Sequence, residues 1–569
     1  MKGRLKIYLA IAVVLLAHTP AAEGKVVYVD DDGGGANNGS SWADAYRFLQ
    51  DALADANSTQ KPVEIRVAQG TYKPDQRAGI KSGDPNAAFQ LVDGVIVKGG
   101  YAGWGATDPD VRDIVRYEAI LTGDLAGNDD LTVDPCMVVY HTSRADNSYH
   151  VVAATGCERT AVLDGFTILG GNAHGPTEIT KNGGGVYDGK ATIVGCKIVH
   201  NAAVGGGGGI ALCTYCGHEQ GGLVEDCTIS GNSAGHGGGI SGCPEIVNCI
   251  ISDNVATDWG GGGINLGSSC ETSLTDCTFS NNRAADGGSV SLDASGSRAV
   301  FTRCTFRGNS ASNNGGVIAV EGCTCGSEPV FYWCEFVGNS AGARGGVLYN
   351  YGFSNAQFQN CVLGGNAAGA DGGAIYDGYY GGTRLVNCTV AGNIAGGRGG
   401  GICYTSSLSY AGRSLSHCII WGNKTAGGEG GKDAQIYLDE ALPPELSYCW
   451  IQGSIGAAEP LFADPNNGDF HLKSQAGRWD PNERRWTKDE VTSPCIDAGD
   501  PMSPIGYEPF PNGAIVNVGA YGGTAEASKS YFGQPVCRVV VAGDINGDCR
   551  VDFTDFAIMS LHWLGDNSP

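Results

Sequence analysis

Charge is scarce in this sequence, and what there is leans one way. Only 17% of the 569 residues are charged, with 36 Lys and Arg against 60 Asp and Glu, a formal balance of −24. A phosphate backbone is repelled by such a surface, which argues against a nucleic-acid partner. A cation fits better, with calcium the obvious choice. Aromatics are few, at 8%. No segment between turns carries a 3.6-residue apolar period, so helical bundles and helical or leucine-rich repeats fit poorly. After the N-terminus no apolar run is long enough to span a bilayer. Neither an HExxH nor a P-loop motif is present, so no compact catalytic signature marks those chemistries.

What is abundant is glycine, 92 residues against about 7% in ordinary chains. Gly costs roughly 1 kcal/mol per helix position relative to Ala. No G-x-y period runs through the chain, so collagen is excluded. With 42% apolar residues there is enough to bury that disorder is excluded as well. A turn-rich β architecture remains. At the N-terminus Lys2, Arg4 and Lys6 precede the apolar run Ile7 to Ala17, and Ala22-Glu23-Gly24 offers a cleavage site. This predicts an export signal over residues 1–24, with a retained anchor as the alternative. The 22 cysteines would then face an oxidising, extracytoplasmic environment.

The cysteines form a ladder. Cys196, Cys227, Cys249, Cys277, Cys304, Cys334, Cys361, Cys388, Cys418 and Cys449 recur every 22 to 31 residues. Five residues after nine of them stands Asn: Asn201, Asn232, Asn254, Asn282, Asn309, Asn339, Asn366, Asn393 and Asn423. A Gly-Gly step and a short apolar strand follow, as in Gly372-Gly373-Ala374-Ile375-Tyr376. Short strands and tight turns in units of this size bury nothing alone, but stacked at ~4.8 Å they form a right-handed parallel β-helix. The Asn column is expected to take left-handed turn positions and to bond amide to amide between coils. The Cys column is expected as packed thiols rather than disulfides. Cys213/Cys216 and Cys323/Cys325 are the better disulfide candidates.

The G-N-x-A…G-G-apolar unit over residues 160–455 resembles the repeats of polymorphic outer-membrane proteins and of secreted bacterial right-handed β-helix proteins. Val26 to Asp30, Ser41-Trp42-Ala43-Asp44 and a helix through Ala56 resemble the N-terminal cap of that class, so residues 25–159 are read as cap and first coils. Ser493 to Asp500 with Val518-Gly519-Ala520-Tyr521 resemble a closing coil, giving a C-terminal cap at 456–525 and a linker at 526–541. Residues 542–569 hold a loop with oxygens from Asp544, Asn546, Asp548, the Arg550 carbonyl, Asp552 and Asp555, the spacing of a calcium-binding EF-hand. It resembles a dockerin type I repeat, which implies Ca2+ and a cohesin-like partner. Two features depart from that pattern: Cys549 replaces the usual Gly, and one loop stands where dockerins pair two.

Two columns could carry function. The residues before the Gly-Gly steps include Arg344, Asp371, Arg398 and Glu429, alternating in sign at coil spacing. They read either as an arginine base beside acidic groups, as pectate-lyase-like enzymes would use, or as an ion-pair ladder that sets coil register. Tyr349, Tyr351, Tyr376, Tyr379, Tyr380 and Tyr404 follow the Gly-Gly strands and suit stacking on sugar rings. Three functions follow: a secreted glycan-binding or adhesive surface, which the residues favour; a polysaccharide lyase or glycoside hydrolase; or an envelope or matrix structural protein.

Overall fold

The computed structural model describes residues 24–562, apart from positions 78, 213–220, 259, 293–295, 323–325, 406–411, 429, 440–441, 533–542, 544 and 546–549. Among these residues short strands pair in parallel, each with its counterpart about one repeat away, into sheets of 14, 13, 10 and 12 strands. One coil shows the order. Leu223–Glu225 lies on the first face, Thr228–Ser230 on the second, Ser233–Ala234 on the third and Ile240–Gly242 on the fourth. Glu245–Val247 then resumes the first face beside Leu223–Glu225. The chain is a right-handed parallel β-helix, as its repeat implies.

Local chemistry fixes each corner. Between the first and second faces the residue before the ladder cysteine turns left-handed, as at Asp226 (φ 53°), Asn248 (φ 51°) and Asp276 (φ 57°). Asp and Asn tolerate this conformation. Between the second and third faces the left-handed residue is His200, Gly231, Asp253 or Asn281, one position before the ladder Asn. The expectation that the ladder Asn itself turns left-handed is therefore corrected. Its side chain must point inward to find its partners, so its predecessor makes the turn.

The amide stack is complete. Asn232 Nδ2 donates to Asn254 Oδ1 (3.0 Å) and to the Ile198 carbonyl (2.8 Å), while Asn232 Oδ1 accepts from Asn201 N–H (3.0 Å). The pattern continues to Asn423, whose Nδ2 donates to Gln435 Oε1 at 2.8 Å, so Gln435 ends the column. All nine Asn are at most 1% exposed. The ladder cysteines remain thiols. Cys227 accepts a bond from the Cys196 N–H through sulfur, at 3.4 Å, as coils stack. A disulfide instead joins Cys243 to Cys270 across neighbouring coils, Cα–Cα 5.7 Å. Cys213, Cys216, Cys323 and Cys325 lie outside the described residues. In the middle coils Phe279, Phe306 and Phe336 stack at 4.8 Å and Phe301, Phe331 and Phe358 at 4.7–4.8 Å, the inter-strand spacing itself.

At the N-terminal end the helix Leu49–Ser58 buries Leu49, Ala52, Leu53 and Ala56 in the core beside the strands Lys25–Val29 and Val63–Ala68. The C-terminal segment departs from expectation. Instead of adding a coil on the axis, residues beyond 460 run back along the second face. Phe470 seats against Val362 and Ala391, and a Cβ on Gly364 would collide with its ring. Asn360 Nδ2 donates to the Ala520 and Gly522 carbonyls at 2.9 and 2.8 Å. A fold-back flank replaces the predicted closing coil, because its apolar residues match the outward apolar patch of Val362, Ala391 and Ile419. Among the described residues no helix is long and apolar enough to cross a membrane.

Candidate functional site

The fourth face changes character in its upper coils. Register places Tyr349, Tyr376, Cys403 and Tyr437 in one outward column. Just before that face, Gly345 N–H donates to the Asp371 carbonyl (3.1 Å) and Gly372 N–H to the Arg398 carbonyl (2.9 Å). These bonds put Arg344, Asp371 and Arg398 in a second column. The two columns form one surface. The Arg344 guanidinium lies 5.0 Å from the Tyr376 ring centre, and Arg398 lies 5.0 Å from that of Tyr437. Both are within cation–π range.

Arg398 is held from two sides, by Asp371 at 3.2 Å and Asp439 at 2.8 Å. Burial works against the Asp371 carboxylate, but the Arg398 side chain and N–H outweigh it and hold its pKa below the usual value. Bonds to Asp371, then to Tyr437 and Asp439, push the Arg398 pKa further up, so its proton is held more firmly. Glu429 lies outside the described residues; Asp439 supplies the acid above Arg398.

Tyr349 and Tyr376 are 7% and 6% exposed and form the floor, with ring centres 5.5 Å apart and planes 11° apart. Tyr351 stacks parallel to Tyr349 at 5.9 Å and is 41% exposed; Tyr379 is 49% exposed. Tyr380 stacks on Phe353 at 4.5 Å and meets Tyr379 edge-on at 4.3 Å. Tyr404 does not belong to this surface, which corrects the sequence reading. It points into the helix with no exposed area, in register with Asp377 and with the Arg413 guanidinium 4.7 Å from its ring. Asp377 is fully buried 3.5 Å from the equally enclosed Arg413, and burial pushes its carboxyl up to about 6.

A groove on the first face was missed by sequence reasoning. It encloses about 610 Å³ between Gln357, Arg384, Ser414 and Glu445, which share one outward column, and Leu442 and Pro443. Its signal was the polar residue at alternate positions of each first-face strand, meaningful only once the register is known. Two stretches spell G-x-S-x-G, Gly231 to Gly235 and Gly338 to Gly342, but Ser233 and Ser340 sit in third-face strands rather than on an exposed strand-to-helix turn.

Of the calcium-loop residues, Asp544, Asn546 and Asp548 lie outside the described residues. Asp555 accepts from Ile545 N–H (2.7 Å) and Asp552 N–H (2.8 Å), drawing both ends of the loop together at the start of the helix Phe553–His562.

Residues 178–390 match the family model described as right handed beta helix region, and residues 448–499 match one described as disaggregatase related. No curated protein matches the sequence. Among solved structures the chain is similar to pectate lyase Pel9A at 13% identity and TM-score 0.36, covering 88% of this chain and 97% of that one. It is also similar, at 13% identity and TM-score 0.36, to the catalytic unit of a GH87 alpha-1,3-glucanase from Streptomyces thermodiastaticus strain HF3-3, with 75% and 72% covered.

Proposed function

We propose that the chain is an exported polysaccharide-binding β-helix that holds a glycan along the tyrosine–arginine surface of its fourth face. One observation carries this reading: Arg398 is clamped between Asp371 and Asp439 over Tyr437, in line with Arg344 over Tyr376. Rigid rings offer flat apolar faces to sugar C–H groups, and the fixed guanidinium and carboxylate groups offer donors and acceptors to hydroxyls. A base must give up its proton readily, and two carboxylates hold that of Arg398 in place. The surface is built to bind rather than to cleave. Retention on insoluble polysaccharides tests it. The Tyr351→Ala/Tyr379→Ala pair should abolish retention, and unchanged retention would overturn the assignment.

A second reading, cleavage as a polysaccharide lyase or glycoside hydrolase, rests on the first-face groove. There the Arg384 side chain makes no hydrogen bond or ion pair among the described residues, and it shares the groove with Glu445. Loss of a polysaccharide-degrading activity in Arg384→Ala, with binding to the fourth face intact, would favour it.

The tail is proposed to bind Ca2+ through Asp544, Asn546, Asp548, the Arg550 carbonyl, Asp552 and Asp555, and to attach the protein to a cohesin-like partner or matrix. The described part fits, since the Asp555 carboxylate gathers the loop ends where the twelfth ligand belongs. Calorimetry of the full chain with calcium and with chelator tests it; no heat of calcium binding would overturn it.

A further inference from the structure

The corner between the first and second faces is left-handed, and in five coils Asp226, Asn248, Asp276, Asn360 and Asn387 occupy it with short polar side chains. Larger side chains take it in four others, Arg303, Trp333, His417 and Tyr448. Trp333 takes this position at φ 54° with its side chain 48% exposed. A bulky residue there is a conformational outlier, and an exposed indole adds little to the core. Strain of this kind gathers at functional sites.

Trp333 is not alone. The fold-back segment stands beside it and encloses about 460 Å³ lined by Trp333, Arg303, Glu335, Asn360, Tyr521 and Glu526. Each acid stands beside a cationic partner. Glu526 lies 3.5 Å from His471 Nε2, and His471 Nδ1 lies 2.7 Å from Asp469. Burial disfavours the imidazolium, but these two carboxylates outweigh it and raise the His471 pKa. Glu335 is held by Arg307 at 3.0 Å. The arginine of the pocket is already engaged, because Arg303 grips both oxygens of Asp276 at 2.6 and 2.7 Å.

We propose that this pocket is a second carbohydrate site, at the opposite corner of the coil from the tyrosine surface, and that it takes a neutral pyranose unit. Trp333 is the stacking platform, and the Glu335 and Glu526 carboxylates accept hydroxyl protons. An acidic sugar is repelled by two carboxylates whose neighbouring cations are occupied. The site needs the fold-back segment as well as the helix, so it exists only in the assembled chain.

The test is calorimetry and tryptophan emission on the full-length protein with laminari-, xylo- and manno-hexaose, and with trigalacturonate as the acidic probe. At least one neutral hexaose should bind and change the emission. Trp333→Gly should weaken that binding at least tenfold, with a thermal midpoint no lower than wild type, since glycine relieves the left-handed turn. Glu526→Gln should weaken it several-fold. The proposal is overturned if no neutral hexaose binds, if trigalacturonate binds more tightly, or if Trp333→Gly binds as wild type. A lower midpoint in Trp333→Gly would make the indole structural and also overturn it. Retention on insoluble polysaccharide reports the fourth face and the Trp333-dependent change in emission reports this pocket, so loss of either site is distinguishable from loss of the other.

Discussion

The lower and upper coils share one backbone and differ in what they display. On the fourth face the outward column runs Ala211, Ser241, Asn265, Ser291 and Ala319 in the lower coils, then Tyr349, Tyr376, Cys403 and Tyr437 above. The neighbouring inward column runs Leu266, Leu292 and Val320, then Asn350, Asp377 and Tyr404. Corner turns, Asn stack and Cys column continue unchanged through both halves. In a solenoid each coil contacts only its neighbours, so the backbone repeat can be kept while individual columns change chemistry. The surface proposed to bind glycan lies where the coils depart from the repeat.

The sharpest way to break that comparison is inside the upper coils. Arg413→Ala would leave Asp377 buried without its cation and should cost about 3–5 kcal/mol, read as a shift in the unfolding midpoint at pH 7.5. The double replacement Asp377→Leu/Arg413→Leu should recover most of the loss, as apolar side chains restore the chemistry of the lower coils. If the double variant is as unstable as the single one, the upper interior is specified by more than this pair.

The scaffold should respond alike in both halves. Asn232→Ala below and Asn339→Ala above each remove an acceptor from the backbone and amide N–H groups of the preceding coil. Each should therefore cost about 2–3 kcal/mol. A difference above about 1 kcal/mol between them would show that the stack is not uniform.

Burial raises acids on the flank as it raises Asp377 in the helix. On the fold-back segment burial raises Glu508 to about 8 and Asp497 to about 6. A carboxyl whose folded pKa is raised binds its proton more tightly when folded, so stability falls as pH rises from the unfolded value to the folded one. For Glu508 that window runs from about 4.5 to about 8, with a slope of up to about 1.4 kcal/mol per pH unit. Glu508→Gln should flatten the pH dependence of the fold-back segment's unfolding across this window. An unaltered slope would assign the effect to other groups.

The backbone was legible because its constraints are local. A Cys, an Asn five residues on and a Gly-Gly step recur wherever a coil turns, and the amide stack and thiol column sit where that spacing puts them. The two-residue alternation of a strand also places Tyr404 inward. Tyr349 and Tyr376 stand five residues after Arg344 and Asp371, but Tyr404 stands six after Arg398, with Cys403 in the fifth place. One step turns the side chain from surface to core. The fold-back segment was hidden for another reason. Asn360 meets Ala520, and Trp333 and Glu526 line one cavity, across distances in sequence that no short-range pattern reports. The Trp333 pocket, closed by the fold-back segment across such a distance, was invisible for the same reason.

The finest test asks whether the charged column binds glycan or only sets coil register. Arg398 is 43% exposed in its side chain, so its ion pairs are worth about 0–1 kcal/mol to folding. Arg398→Lys keeps the charge but loses the planar fork that reaches Asp371 and Asp439 together and lies over Tyr437. The unfolding midpoint should barely move. Retention on the polysaccharide that the wild type binds should fall several-fold, because the donors no longer hold a fixed geometry over the rings. A variant that loses stability while keeping full retention would make the column a register device alone. The upper coils would then differ from the lower ones in their tyrosines and not in their charges.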